Sequence, residues 1–502
     1  MPSRPLDTPQ RLWIRARRRL QRCTRGDLLV FLPGPLRISG PGLVAEIERA
    51  EAALSNSLLL PGAKVLVQVS HPLPLLVLLP ALWGRGCIPI LSDRVSTGSD
   101  DDDLVHGLAP DAILTDAAAK ATDSQTVWLP PLPVLRLHEP HLRRVLPLPP
   151  GTVLVRTTSG STGRPRGVAL SAEQILSDAR NIAGSLRLSD ALTSLAAIPM
   201  SHAFGFSTLL TPLLFLGIPM VLLEQPVPEL FRKALGRHES FFFPGIPLLF
   251  DLLLGSPLST RFLERLKIAV CAGAPLSPST ALLFRERTGI PLRNFYGTSE
   301  CGAIACDRTA SGLPLPGCVG TPLKGVRLSL RRDARRSSRP HPADGERGRI
   351  RVEGESVALG YVGAGARPRL FHGWFATGDL GRWGSPGALF LEGRLDRMIN
   401  VGGRKVFPEE VERAILEAPG VREAVVLGIS DPLRGEVVAA VVAGAATLRE
   451  STLMDFCRAR LAAPRLPRRI LILGELPRTA RGKLDAARLR ALLGGDSCPP
   501  IG

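Results

Sequence analysis

The sequence has few aromatic residues, no closely paired cysteines and no long apolar run behind its basic start. Aromatic residues make up only 5% of the 502 residues, so the net charge of +18 lacks the aromatic partners typical of nucleic-acid binding. Without a C-x-x-C pair, neither a disulfide framework nor a zinc site is indicated, and we expect reduced thiols in the cytoplasm. We also expect no secretory signal. The scattered cysteines are Cys23, Cys87, Cys271, Cys301, Cys306, Cys318, Cys457 and Cys498.

Two further segments bear on membranes. The longest stretch without charge, residues 198–223, is interrupted by prolines and glycines, which favours a buried strand and helix over a transmembrane segment. The segment RLWIRARRRLQR (11–22) is compatible with an amphipathic helix that contacts acidic lipid or a partner. We favour a solvated surface helix and leave peripheral membrane contact open.

Short apolar runs alternate with helical stretches from residue 64 to about 270, which predicts an α/β fold with buried strands. After residue 348 the chain becomes rich in predicted strands. In the last segment, Pro408 begins a predicted helix and Asp485 caps another. A chain of this length is expected to form more than one domain.

The segment TTSGSTGRPRG (157–167) combines hydroxyls, glycines and arginines between two apolar stretches. It is no Walker A loop, because it lacks the GK[ST] ending and the β-branched Val168 follows where a helix would begin. Glycine backbone N–H groups with hydroxyl and guanidinium donors suit a polyanion such as a triphosphate. A plain Gly/Ser linker is the alternative.

Four later motifs accompany this loop in order: NFYGTSE (294–300), TGD (377–379), GRLDRMINVGGRKVFPEEVE (393–412) and RTARGKLD (478–485). As an ordered set they closely resemble the motifs of the AMP-forming acyl and aryl synthetases, the superfamily of acyl-CoA synthetases, nonribosomal adenylation domains and luciferases. The resemblance spans about residues 150–490. It implies a large multi-subdomain α/β domain (1–395) and a small mobile α+β C-terminal domain (396–502), with Asp396 at the hinge.

The resemblance also implies which residues bind ATP and magnesium. Arg164 and Arg166 replace the two lysines that usually follow the phosphate loop, a mild departure at a phosphate contact. Ser299 is expected at the α-phosphate, Glu300 on Mg²⁺, and Asp379 with Arg394 on the ribose. The residues expected around the phosphates and the adenine are Thr158, Ser159, Gly160, Ser161, Thr162, Gly163, Gly273, Ala274, Pro275, Tyr296 and Gly297.

Lys483 is the strongest catalytic candidate. A carboxylate that attacks the α-phosphorus of ATP brings two anions together, and an ammonium there lowers the barrier. Nearly every other basic residue of the chain is Arg, which suggests that a compact point charge is required at this position. A chance surface lysine is the alternative.

The acid and the thiol acceptor are less constrained. His202 in PMSHAFGF matches the histidine that packs against substrate in acid activators, although an isolated histidine is more often structural. The segment FFFPGIPLLFDLLL (241–254) predicts apolar walls and hence a fatty or aromatic acid. Gly402 and Gly403 match the turn beside the pantetheine tunnel, where small residues leave room.

The predicted activity is therefore that of an acyl- or aryl-CoA synthetase that uses ATP, Mg²⁺ and coenzyme A. A ligase that loads the phosphopantetheine of an acyl-carrier protein is the main alternative. A catalytically idle nucleotide-binding scaffold and a luciferase-like oxidase also remain open. No nucleic-acid partner is expected.

Overall fold

The fold is given by a computed structural model that describes residues 8–24, 26–34, 36–55, 57, 59–69, 71–92, 100–116, 124–127, 135–138, 146–158, 166–236, 240–257, 263–308, 315–331, 345–363, 367–385, 387–432, 434–478 and 484–493. Contacts within the chain define two compact units. The first unit comprises Met1–Ser329 and Arg351–Phe375, and the second comprises Leu330–Ile350 and Ala376–Gly502. This division assigns residues 376–395 to the second unit, whereas the predicted boundary at 396 assigns them to the large domain. That domain boundary stays a prediction.

Helices and helical turns occur in both units. The α-helices are Pro9–Gln21, Gly40–Ser55, Pro72–Gly84, Asp100–Leu108, Ala172–Leu186, Ala203–Gly205, Pro228–Leu235, Pro247–Gly255, Pro278–Thr288, Pro408–Leu416, Glu450–Arg458 and Ala486–Leu492. Wider π turns cover Phe206–Leu210 and Pro212–Leu216, and 3₁₀ turns cover Leu395–Arg397 and Ala463–Arg465.

The strands are numbered in chain order. They are β1 (Leu29–Leu32), β2 (Arg37–Ile38), β3 (Lys64–Gln68), β4 (Ile88–Leu91), β5 (Ala112–Thr115), β6 (Ser124–Val127), β7 (Leu135–His138), β8 (Thr152–Thr158), β9 (Arg166–Ser171), β10 (Thr193–Ala196), β11 (Met220–Leu223), β12 (Phe241–Gly245), β13 (Leu266–Cys271), β14 (Leu292–Thr298), β15 (Gly302–Cys306), β16 (Cys318–Pro322), β17 (Val326–Arg331), β18 (Arg347–Gly354), β19 (Gly360–Val362), β20 (Arg369–Leu370), β21 (Trp374–Gly384), β22 (Ala388–Arg394), β23 (Ile399–Val401), β24 (Arg404–Val406), β25 (Val421–Asp431), β26 (Gly435–Gly444) and β27 (Arg469–Leu473).

Two sheets organise the first unit. One contains the run β16-β15-β14-β13-β12-β10-β11-β1-β2, in which β10, β12, β13 and β14 are successive parallel neighbours. The other is a 9-stranded sheet in the order β20-β19-β9-β8-β4-β3-β5-β7-β6. Parallel strands buried on both faces need continuous apolar runs, which explains why their sequences are so apolar. The α/β alternation predicted from the sequence is thus present.

Strand β12 carries three consecutive phenylalanines into the core. Each residue of Phe241–Phe243 is 0% exposed, and the ring of Phe243 packs against Phe231 and Phe250 at centroid distances of 5.7 and 5.0 Å. A fully buried side chain cannot line a pocket that is open to solvent. The prediction that these three phenylalanines supply substrate walls is therefore wrong, whereas Ile246, just after the strand, is partly exposed.

The arginine-rich helix Pro9–Gln21 is amphipathic. Its apolar residues Leu12, Trp13, Ala16 and Leu20 are buried, because the helix packs against helices Gly40–Ser55 and Pro72–Gly84. The helix is confirmed, but it is not a plain solvated one, and its four buried apolar residues are not available to lipid.

The stretch without charge forms a strand and a helix, as predicted. The helix continues from Ala203–Gly205 through the two π turns, and β11 follows. Pro212 has no N–H to donate, and the hydroxyls of Thr208 and Thr211 donate to the carbonyls of Phe204 and Ser207, which favours irregular turns here. None of the described helices is both long and apolar enough to cross a membrane.

The second unit contains a 5-stranded sheet in which β24, β23, β26 and β25 follow one another and β27 pairs with β26. Side chains alternate along β25, so Val426 packs in one core cluster with Val411 of helix Pro408–Leu416, and Val425 packs in another with Leu489. Pro408 begins its helix as predicted. Asp485 also caps its helix, since its Oδ1 accepts the N–H of Arg488 at 3.0 Å.

Candidate active site

The hydroxyl-rich loop connects two antiparallel strands. In the pair formed by β8 and β9, Thr158 lies opposite Arg166, and the Thr158 hydroxyl donates to the Arg166 carbonyl at 3.4 Å. A strand, not a helix, follows the loop, which agrees with the rejection of a Walker A motif. The predicted phosphate-binding residues Ser159, Gly160, Ser161, Thr162 and Gly163 lie outside the described residues.

Several predicted site residues follow the carboxyl ends of neighbouring parallel strands. Such ends lie along one edge of a sheet, the usual position of ligand sites in α/β folds. His202 follows β10, Ile246 follows β12, and the stretch Gly273–Pro275 follows β13. All three residues of that stretch are exposed, and Gly297 is exposed at the end of β14. The fold thus brings the predicted adenine stretch and the predicted substrate histidine to the same edge.

Tyr296 and Glu300 lie at the last of these strand ends. Tyr296 is 7% exposed in β14, and Ser299 and Glu300 form the turn that joins β14 to β15. The hydroxyl of Tyr361 donates to Glu300 Oε1 at 2.6 Å. Burial raises the pKa of the Tyr361 hydroxyl and the charge of Glu300 raises it further, so this hydroxyl stays protonated at neutral pH.

Both ends of the hydroxyl-rich loop are connected to the Ser299–Glu300 turn. From β8, Arg156 Nη2 donates to the Ser299 carbonyl at 2.7 Å. From β9, Gly167 and Val168 pair with β19, whose Tyr361 hydrogen-bonds to Glu300. Segments that are far apart in the sequence therefore meet around one carboxylate.

His202 has a structural contact of its own. Its Nδ1 accepts the N–H of Phe204 at 3.4 Å and so caps the short helix Ala203–Gly205. The ring is partly exposed, which leaves it accessible while it acts as a cap.

In the second unit, Arg394 contacts two of the predicted site carboxylates. Asp379 and Arg394 are directly opposite in the antiparallel pair of β21 and β22, and Arg394 Nε lies 3.7 Å from Asp379 Oδ1. Arg394 Nε and Nη2 also donate to the two oxygens of Asp396 at 2.9 and 3.1 Å. The predicted ribose pair and the predicted hinge residue thus form one cluster, in which Asp379 is only 8% exposed.

The 3₁₀ turn Leu395–Arg397, which contains Asp396, is attached to other elements of the second unit. Arg397 donates to Glu409 Oε1 at 2.9 Å and to Glu412 Oε1 at 2.6 Å, and both acceptors belong to helix Pro408–Leu416. The same Glu412 oxygen accepts the Val426 N–H at 2.9 Å. These contacts fix the 3₁₀ turn to the helix and to β25.

Gly402 and Gly403 form the two-residue turn between β23 and β24. Their φ angles are +56° and +83°, the left-handed values that a tight hairpin turn requires at both positions. The geometry of the turn is therefore sufficient to explain both glycines. Their contact with a pantetheine arm stays a prediction. Lys483, the strongest catalytic candidate, lies outside the described residues.

Three buried or half-buried polar residues near Glu300 were missed in the sequence: Arg156, Asp178 and Tyr361. Arg156 is 3% exposed and Asp178 is 7% exposed. The available signal was the arginine that directly follows the apolar run VLV in the strand TVLVRTT, since a charge is rarely buried without a partner.

Comparison with known proteins identifies the family. The family model described as AMP-binding enzyme matches residues 46–362, and the model described as AMP-binding enzyme C-terminal domain matches residues 410–483. The chain belongs to the AMP-binding enzyme family. The predicted superfamily and the prediction of an AMP-forming acid–thiol ligase are thereby confirmed.

Three proteins illustrate the similarity of this AMP-binding enzyme to others. A 2-succinylbenzoate–CoA ligase from Bacillus cereus is 28% identical over 441 residues, 86% of this chain and 89% of that protein. A long-chain-fatty-acid–CoA ligase from Bacillus subtilis is 30% identical over 343 residues, 67% of this chain and 61% of that protein. The solved structure of O-succinylbenzoate coenzyme A synthetase from Bacillus subtilis, in complex with ATP and magnesium ion, matches with a TM-score of 0.78 and 22% identity over 94% of this chain and 98% of that one.

These matches confirm the predicted adenylate-forming fold, with its large N-terminal and small C-terminal domains. They also place the activity among acyl- and aryl-CoA ligations.

Proposed function

We propose that this ligase activates an apolar carboxylic acid, fatty or aromatic, to an acyl-adenylate with release of pyrophosphate, and then transfers the acyl group to coenzyme A. The observation that carries the proposal is the convergence on Glu300 of both ends of the hydroxyl-rich loop, through Arg156 and Tyr361. A carboxylate close to the strands that flank a segment rich in hydroxyls and glycines suits a triphosphate with its metal ion.

Glu300 and the neighbouring hydroxyls are oxygen donors, the type that Mg²⁺ prefers. Among the described residues, no group of three or more His, Cys, Asp or Glu side chains comes together as a metal site. We assign the metal to Glu300 together with phosphate oxygens, because a carboxylate and phosphate oxygens are the donors that Mg²⁺ prefers. Bound there, Mg²⁺ would neutralise charge on the phosphates.

The chain's own residues would bind and orient the reactants. Asp379 accepts hydrogen bonds from the ribose hydroxyls, and Arg394 holds that carboxylate in place. Gly273–Pro275 and Tyr296 flank the adenine at the strand ends. Lys483 stabilises the negative charge that develops when the acid attacks the α-phosphorus.

The choice of an apolar acid rests on the apolar residues near the candidate site. Ile246 follows β12, and its Cγ2 would lie 3.4 Å from a Cβ placed on Gly273. The rings of Phe204 and Phe295 are in contact, with centroids 5.5 Å apart, beside His202. The names of the relatives, a 2-succinylbenzoate ligase and a long-chain fatty acid ligase, are compatible with an aromatic or a fatty acid.

An acid panel tests the proposal. Full-length protein is incubated with ATP, Mg²⁺ and fatty, aromatic, amino and sulfonated acids, and acid-dependent ATP–pyrophosphate exchange is measured. The best acid is then offered coenzyme A or a holo-acyl-carrier protein, and the thioester is identified by mass. The proposal is supported if fatty or aromatic acids promote ATP–pyrophosphate exchange and if the thioester then forms on coenzyme A.

Three results would contradict it. Preference for an amino or sulfonated acid would contradict the apolar substrate, and thioester on the carrier protein alone would replace coenzyme A as the acceptor. Nucleotide binding without exchange for any acid would favour an idle scaffold.

A cytoplasmic location stays a prediction.

A further inference from the structure

Strand β8 carries a fully buried arginine just before the hydroxyl-rich loop. Arg156 is 3% exposed, and it directly follows the core residues Val153, Leu154 and Val155, each of which is 0% exposed. Burial of a guanidinium costs free energy unless its hydrogen bonds and charge are compensated. A buried arginine is therefore expected to have a specific structural or functional role.

The contacts of Arg156 point to the turn that carries Glu300. Its Nη2 donates to the Ser299 carbonyl at 2.7 Å, and its guanidinium lies 5.5 Å from the ring centroid of Phe206. Its Nε has no hydrogen-bond partner among the described residues. Burial lowers the pKa of Arg156, and the charges of Asp178 and Glu300 raise it, so both carboxylates lie close enough to act on the guanidinium.

Asp178 holds the other end of the same turn. From helix Ala172–Leu186, its Oδ1 accepts the N–H of Ala303 at 2.9 Å, and its Oδ2 accepts the hydroxyl of Ser207. Gly302 has φ +70°, and a Cβ there would lie 2.5 Å from the Asp178 carboxylate. The carboxylate therefore packs directly against the backbone of the turn, where no side chain fits.

Glu300 is also fixed from a third direction. Its carbonyl accepts the N–H of Ala358 at 2.8 Å, and its Oε1 accepts the Tyr361 hydroxyl at 2.6 Å. One buried arginine, one buried aspartate and one tyrosine thus hold a short turn that carries Glu300.

We propose that Arg156 and Asp178 are positioning residues that hold the Thr298–Gly302 turn so that the Glu300 carboxylate is preorganised for the metal ion of Mg²⁺·ATP. The proposal rests on the proposed function, because that function makes Glu300 the metal ligand. Arg156 contacts the Ser299 carbonyl, and Asp178 contacts the Ala303 N–H. Both act through the backbone on either side of Glu300.

The test measures metal-dependent nucleotide binding, which a purely structural role would not change selectively. Calorimetry gives the affinity of the full-length protein for ATP with Mg²⁺ and for ATP with EDTA, and the ratio of the two affinities is compared. Loss of a group that orients a metal ligand costs roughly 10- to 100-fold in metal affinity. We expect Arg156→Met and Asp178→Ala to lower the ratio by about tenfold or more, because each variant removes the side-chain contact to the turn.

Thr288→Val is the matched control. Thr288 is 4% exposed, and its hydroxyl donates to the Phe284 carbonyl at 2.7 Å, so the variant loses a buried hydrogen bond elsewhere in the same unit. It is expected to lower the melting temperature and to leave the ratio unchanged. If Arg156→Met does not fold, Arg156→Lys decides, with a smaller fall in the ratio expected because a lysine offers a single donor head in place of the guanidinium.

The proposal would be overturned if the folded Arg156 and Asp178 variants had the same ratio of ATP affinities, with Mg²⁺ and with EDTA, as the wild-type protein. This holds even where the stability of the variants is reduced. Failure of the proposed function gives a different result: the wild-type protein itself would bind ATP without any dependence on Mg²⁺, or would not bind it.

Discussion

Arg394 forms a two-point contact with Asp396, in which Nε donates to Oδ1 at 2.9 Å and Nη2 donates to Oδ2 at 3.1 Å, while Nε also lies 3.7 Å from Asp379 Oδ1. One guanidinium thus connects the carboxylate proposed to bind ribose with the residue proposed as the hinge. Because the Arg394 side chain is 52% exposed, the contact is expected to add little to stability.

Loss of that guanidinium should therefore affect nucleotide binding more than folding. We expect Arg394→Gln to raise the KM for ATP by roughly tenfold, since a hydrogen bond to a charged group contributes about 1.5–3 kcal/mol. Arg347→Gln is the control, because Arg347 has an exposed side chain that pairs with Glu392 in the same unit. Steady-state kinetics and thermal melts measure both effects. An unchanged KM for ATP in Arg394→Gln would exclude this role.

Gly302 provides a test of stability near the site. A non-glycine residue at positive φ costs about 1–3 kcal/mol, and at Gly302 the Asp178 carboxylate also fills the space of a Cβ. Gly289 has φ +75° with open space around a Cβ, so Gly289→Ala reports the backbone term alone. We expect Gly302→Ala to lower the free energy of unfolding in urea clearly more than Gly289→Ala. Equal losses would show that the contact with Asp178 is unimportant.

Two substitutions of His202 distinguish its role as a helix cap from a contact with the substrate acid. Asn is a good helix cap, so His202→Asn should keep the wild-type melting temperature, whereas His202→Ala should lose about 0.5–2 kcal/mol of stability. If the ring also contacts the acid, both variants raise the KM for the acid. The proposed role of His202 fails if the asparagine variant retains the KM of the wild-type protein.

The buried thiol of Cys87 is expected to make the thermal stability of the protein depend on pH in the alkaline range. Burial raises the pKa of its thiol from 9.0 to about 11. Between these values the unfolded chain releases the thiol proton while the folded chain keeps it, so the contribution of Cys87 to stability is present below pH 9 and is lost as the pH rises toward 11. We expect the melting temperature to fall less between pH 8.5 and 10.5, roughly the interval between the two pKa values, in Cys87→Ala than in the wild-type protein. Parallel curves for the two proteins would contradict the shift.

Much of the fold could be predicted from local sequence. Apolar runs such as KVLVQ and TVLVRT identified buried strands, and Pro408 and Asp485 identified helix starts, because these signals depend only on neighbouring residues. The ordered motifs identified the family for a similar reason.

Long-range packing could not be predicted in this way. Whether Phe241–Phe243 line a pocket or fill the core depends on Phe231 and Phe250, which arrive from other elements. The role of Arg156 depends on its hydrogen bond to the carbonyl of Ser299, which is 143 residues away in the sequence. The two glycines of the β23–β24 turn are predicted to leave room for a pantetheine arm, and their positive φ angles are a second reason for glycine that the sequence alone does not show.

Lys483 is proposed to promote formation of the acyl-adenylate, and acid-dependent ATP–pyrophosphate exchange measures that step directly. Lys233→Ala is the matched control, since Lys233 forms an exposed ion pair with Glu229 on a helix of the first unit. With the best acid of the panel, we predict that Lys483→Ala lowers the exchange rate by about a hundredfold or more while ATP still binds, and that Lys233→Ala exchanges at the wild-type rate. Exchange by Lys483→Ala at the wild-type rate would contradict the account.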